Sequence, residues 1–202
     1  MQRSIFLFVF SFIAVSGMAQ GNEEPAKKSA EGYYNLTQLS FVVGETDDLS
    51  AAPNLVTSVT TINGYRINEH VSIGVGVGIA AYKYAAFPVF ADIRWHIFKG
   101  NFTPLFAFKG GYAFADNSKN IFSAYYYYEP AYKNTGGWMC HPEIGFKTAI
   151  NPSFEFVFTL GYYYQGLKSE ITESAQYRGY PLLHTVTTNL NRVSFTIGFL
   201  FK

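Results

Sequence analysis

The stretch HVSIGVGVGIAAYKYAAFPVFADIRWHIF, His70 to Phe98, decides the fold. In its first half Val71, Ile73, Val75, Val77 and Ile79 share one parity, and Ser72, Gly74, Gly76, Gly78 and Ala80 share the other. A period of two belongs to a strand, whose successive side chains point to opposite faces. The second half repeats the pattern, with Phe87, Val89, Ala91, Ile93, Trp95 and Ile97 on one face and Asp92, Arg94 and His96 on the other. One face is oily and the other carries the charge. Each arm runs to about 11 residues or more, longer than the roughly 5–6 of a soluble strand and close to the 9–11 that cross a bilayer at a tilt. The stretch reads as a transmembrane hairpin.

Composition points the same way. Charged residues make up 14% of the 202-residue chain and aromatics 19%, whereas a soluble domain carries about 25% charged residues. The length allows one domain, or a modest barrel behind an N-terminal address. A net charge of +1 with no Lys/Arg cluster gives no electrostatic case for nucleic acid. Cys140 is the single cysteine, so an intramolecular disulfide and a thiolate metal cluster are both excluded.

Met1 to Ala19 opens with Arg3, continues through an apolar run to Val15 and ends in small residues, Gly17 and Ala19. That order predicts a secretory signal peptide over 1–19. Residues 20–31 are polar and aperiodic, which predicts a flexible tail. From Gly32 onward alternating segments recur near Tyr33–Gly44, Leu55–Ile67, His70–Tyr84, Phe87–Phe98, Phe102–Phe114, Gly137–Ile150, Ser153–Gln165 and Asn191–Phe201. The expected fold class is all-β: a closed, antiparallel, eight-stranded transmembrane β-barrel of up-and-down topology over 32–202. Connections at Ile67-Asn68-Glu69, Lys99-Gly100-Asn101 and Ile150-Asn151-Pro152 are tight, and the one at Ala85-Ala86 is short. Glu45–Asn54, Ala115–Gly136 and Gly166–Leu190 are long and belong to the opposite end from the three tight turns. Long loops outside and short turns on the periplasmic side are the habit of outer-membrane barrels.

Alternation alone does not tell a barrel with oil outside from one with oil inside; the polar face does. It is mostly Gly, Ser, Thr and Ala with few charges, whereas a soluble surface carries roughly 25–35% charged residues. The apolar face holds Trp95, Trp138, Phe154, Phe156, Phe158, Phe195, Phe199 and Phe201, more ring volume than an eight-stranded interior admits. With the rings against lipid, Arg66, Asp92, Arg94, Lys109, Glu143, Lys147, Glu155 and Arg192 point into the lumen, where charges need partners. Hairpin register through the tight turns sets Asp92 opposite Lys109 and Lys147 opposite Glu155, and predicts lumen ion pairs between them.

Three segments carry a resemblance to a known family: GYRINEHVSIGVGVG (Gly64–Gly78), FPVFADIRWHIF (Phe87–Phe98) with FTPLFAFKGGYAF (Phe102–Phe114), and the closing RVSFTIGFLF (Arg192–Phe201). Over Gly32–Lys202 the chain resembles the small eight-stranded outer-membrane barrels of Gram-negative bacteria, the group of the OmpA transmembrane domain and OmpX. The resemblance implies residence in the bacterial outer membrane, contact with its lipid, and delivery to the barrel-insertion machinery through the C-terminal strand, which ends on Phe201 followed by Lys202.

Other motifs are weaker. Gly74, Gly76 and Gly78 lie mid-strand, where glycine makes room for inward neighbours rather than cradling phosphate between strand and helix. His70, His96, His141 and His184 lack ligand spacing. Ser123, Ser169, Ser174 and His184 fall in expected loops, but nothing places a nucleophile beside a base, so no catalytic residue and no cofactor are assigned. Tyr125, Tyr126, Tyr127 and Tyr128, with Tyr177 and Tyr180, form a candidate external binding surface, since Tyr offers large amphipathic contact area. Tyr162, Tyr163 and Tyr164 suit an interfacial girdle. The expected role is a structural or surface-interaction protein that displays 115–136 and 166–190 to an external ligand; the alternatives are a rim-located lipid-modifying enzyme and a narrow pore for small solutes.

Overall fold

The computed structural model describes residues 31–44, 54–82, 85–98, 100, 102–115, 131–173 and 182–202; the expected signal peptide, nearly all of the tail and the six candidate surface tyrosines lie outside them. The elements are β1 (Gly32–Val43), β2 (Leu55–Arg66), β3 (Val71–Ala81), β4 (Ala85–His96), β5 (Phe102–Ala115), β6 (Ala131–Asn151), β7 (Phe154–Glu173) and β8 (Leu182–Phe201). Each pairs antiparallel with its sequence neighbour, and β1 closes on β8, from Val43↔Val193 to Asn35↔Phe201. The result is a closed eight-stranded up-and-down barrel.

Burial follows the sequence parity. On β4 Phe90, Asp92, Arg94 and His96 are buried, while Val89, Ile93 and Trp95 are 42%, 52% and 60% exposed. Phe195, Phe199 and Phe201 on β8 also face outward. The polarity is thus inverted: the exposed belt is apolar, and the charges are inside. Leu36, Ile62, Phe90, Leu105, Val157 and Leu200 share that interior as a packed cluster. Phe90 fits because it faces Gly76 across β3–β4, and a Cβ at Gly76 would strike its ring.

Short polar turns close one end. Asn68 Oδ1 accepts from the backbone of His70 and Val71, both at 2.8 Å, and Asn151 Oδ1 accepts from Ser153 at 3.0 Å. Gly100 holds φ +142°, a region open to glycine.

The opposite end departs from expectation. β6, β7 and β8 run 21, 20 and 20 residues, against 11–14 for β1–β5. Much of what reads as loop in 115–136 and 166–190 is therefore strand: Ala131 pairs with Thr172, and pairing of β7 with β8 continues to Glu173↔Leu182. Above the bilayer a strand needs no apolar stripe, so its sequence loses the alternation that marks the membrane segments.

Candidate functional site: the sealed interior

All eight expected lumen charges face inward, and Asp92, Arg94, Lys109 and Glu143 are each 2% exposed or less. β4 and β5 are in register at Asp92↔Lys109, as the turn at Gly100 dictates. The two ions nevertheless take other partners. The Arg94 guanidinium, two residues along the same face, donates to Asp92 at 2.7 and 3.1 Å. This fork satisfies both carboxylate oxygens, which a single ammonium does not. Lys109 turns the other way and donates at 2.8 Å to Glu143 on β6, a diagonal neighbour within reach of a long side chain.

Glu143 is the hub of this cluster. His141 Nε2 lies 3.2 Å from its Oε1, and Thr196 donates to the same oxygen at 3.5 Å. His141 Nε2 is also 2.6 Å from Ser194 Oγ. A Ser, a His and a Glu thus meet, but a relay requires the carboxylate on the ring nitrogen opposite the serine. Here both partners share Nε2, and Ser194 is fully buried, so the trio is a structural network. The trio escapes a reading of the sequence because Ser194 on β8 lies about fifty positions from His141 and Glu143 on β6; their shared inward parity was the available signal.

Glu155 gathers a second cluster at the end with the tight turns. It accepts from Lys147 at 3.1 Å, from Arg66 at 3.4 Å, and from Lys202. The expected register is corrected here: a bulge between Ala149 and Asn151 sets Lys147 opposite Val157 and Glu155 opposite Ala149. The lysine reaches its carboxylate diagonally. Nearby, Ser72 Oγ lies 3.2 Å from His96 Nε2.

Toward the other mouth a cavity of about 10 Å3 is lined in part by Ser40, Thr60, Phe90, Lys109, His141 and Tyr163, room for about one water. Tyr163 points inward and donates to Gln165 at 3.1 Å, whereas Tyr162 and Tyr164 point outward and donate to Asn191 and Asn189 at 2.6 and 3.1 Å. Tyr112 and Trp138 meet edge to face. These outward rings form one boundary of the apolar belt; Tyr65, Trp95 and Phe102 stand at the other. Among the described residues no three His, Cys, Asp or Glu converge as a metal site.

The architecture has solved counterparts. The chain is similar to the outer membrane protein OprG from Pseudomonas aeruginosa (TM-score 0.62, 13% identity, 84% of this chain and 95% of that one). It is also similar to Neisserial surface protein A (0.52, 14%, 85% and 98%) and to the outer membrane protein AlkL (0.51, 11%, 92% and 97%). No family model matches the sequence, and no curated protein does. At these identities the likeness is one of fold, that of small outer-membrane barrels. With the lipid-facing belt, it places the chain in a bacterial outer membrane.

Proposed function

We propose that the chain is a non-enzymatic outer-membrane scaffold that holds the extended part of β6–β8, and the segments joining those strands, outside the cell as an interaction surface. One observation carries this reading: residues 131–136 of β6 run past its pairing with β5, residues 182–192 of β8 run past its pairing with β1, and β7 pairs with both extensions, a rise of roughly 15–30 Å for tilted strands. The interior supports it, since its central charges are buried and paired with one another. External binding then falls to the tyrosine-bearing segments Tyr125–Tyr128 and Tyr177–Tyr180, and membrane insertion to the C-terminal strand. No cofactor enters.

The test shortens the β7–β8 hairpin to Gln165 and Leu190. The shortened barrel should still resist denaturation by detergent in the cold, while cells displaying it lose binding to arrayed matrix proteins and glycans that wild-type cells retain. Equal binding by both cells would defeat the proposal. So would steady single-channel conductance of the purified protein, which indicates a pore, or altered lipopolysaccharide acylation in a deletion strain by mass spectrometry, which indicates an enzyme.

A further inference from the structure

The lipid-facing wall is not uniformly apolar. On β3 and β4 the outward residues Val71 to Ile79 and Phe87 to Trp95 carry no hydroxyl or carboxamide, and outward β8 from Val193 to Phe201 is likewise apolar. Between these walls β1 and β2 put Asn35, Thr37, Thr61 and Asn63 on the same outward parity. The four are hydrogen-bonded: Asn35 Nδ2 donates to Asn63 Oδ1 at 2.9 Å and to Thr61 Oγ1 at 3.2 Å, and Thr37 Oγ1 donates to Asn35 Oδ1 at 3.4 Å. Tyr33, at the edge of the belt, also donates to Asn63 Oδ1. Thr37 and Thr61 stand four residues inward of Tyr33 and Tyr65, roughly 10 Å along the membrane normal and past the girdle.

At the level of Thr37 and Thr61 polar side chains have no water to bond, and Asn35 and Asn63 stand two residues, roughly 5 Å, inward of the tyrosines. Within the patch the donors and acceptors are also unequal. Among the described residues the Asn63 carboxamide nitrogen donates to nothing, and the Thr61 hydroxyl only accepts. We infer that the outer face of β1–β2 is a protein contact inside the membrane, and that its occupant is a second copy of this chain related by a two-fold axis. The patch is neutral, so it calls for a surface offering both donors and acceptors and no counter-charge. Carboxamides and hydroxyls are self-complementary, and a two-fold axis sets each Asn63 amide against an acceptor of the same patch. Val75 and Val77 on one flank and Ile197 and Phe199 on the other supply an apolar rim.

The experiment is thiol cross-linking in native outer membranes, with Cys140→Ser as background. Thr61→Cys should give a dimer of twice the monomer mass, and Ile144→Cys, exposed on β6 across the barrel from β2, should not. Adding Asn35→Leu and Asn63→Leu should weaken association by about threefold per lost hydrogen bond, roughly eightfold for a symmetric pair. Fluorescence transfer between labelled copies in phospholipid vesicles reads this loss without the cross-linker. A thiol at 61 that reacts with maleimide yet yields only monomer would overturn the inference. It would fall equally if Ile144→Cys dimerised as well, if the adduct contained a different protein, or if the leucine variants associated as the parent does.

Discussion

Replacing Glu143 with Gln keeps the volume of the side chain and removes its charge. In the parent, Glu143 is 1% exposed and its Oε1 takes the Lys109 ammonium at 2.8 Å, with His141 at 3.2 Å beside it. In the variant Lys109, itself 2% exposed, becomes a buried cation without its carboxylate. Breaking one side of a buried pair costs about 3–5 kcal/mol, which is two to nearly four orders of magnitude in the folding equilibrium. Urea unfolding in phospholipid vesicles measures the loss, and the chain carries its own reporters. Trp95 and Trp138, 60% and 72% exposed on the lipid side, shift their emission when they leave the acyl chains. Removing both charges, with Lys109→Met and Glu143→Leu together, should recover most of the lost stability, because well-packed apolar residues often replace a buried pair at no cost. A single-variant cost below about 1 kcal/mol, or a double variant as unstable as the single, would refute the claim that Glu143 anchors the interior.

Three further outcomes follow from the same geometry. Val89→Arg on the outward face of β4 should destabilise the barrel in vesicles by up to about 2–4 kcal/mol at the bilayer midplane; a water-soluble barrel would tolerate it, so an unchanged urea midpoint would count against the inverted polarity. Gly76→Val should cost about 1–3 kcal/mol by forcing the Phe90 ring aside, and combining it with Phe90→Ala should lose less than the sum of the two single losses; a strictly additive loss would mean that the ring and the glycine are not coupled. Lys147→Glu sets two carboxylates together and should lower the unfolding temperature in detergent, by less than Glu143→Gln costs, because Arg66 and Lys202 still face Glu155. No change would mean that the Lys147–Glu155 pair contributes nothing.

What alternates in a membrane barrel is enforced by lipid on one side and packing on the other, so strand number, polarity and the Asp92↔Lys109 register were legible from residue order. Partner choice was not. Lys109 has candidates on strands to either side, and preferring Glu143 over Asp92 depends on Arg94 already holding both oxygens of Asp92, a competition invisible along one chain. The bulge at Ala149–Asn151 leaves no mark in the alternation either, because one extra residue beside a turn resembles a slightly longer turn. The upper reaches of β6–β8 were hidden for a different cause: the sequence from His184 to Thr188 lacks the strong apolar alternation of the membrane segments and reads as loop. The Asn35–Asn63 patch was in plain view as a break in the apolar parity, but it gains meaning only when β1 and β2 are aligned.

The seam where β1 meets β8 joins residues 150 to 166 positions apart, from Val43↔Val193 to Asn35↔Phe201. Every other neighbouring pair is a hairpin that local chain can form. The cylinder therefore stays an open sheet, with two raw edges, until the last strand has been made and delivered. Such distant closure is slow, and until it happens Arg94, Lys109 and Glu143 have no sheltered room to occupy. A chain cut short anywhere before Arg192 would lose the wall itself, and would stand or fall as a whole rather than by degrees.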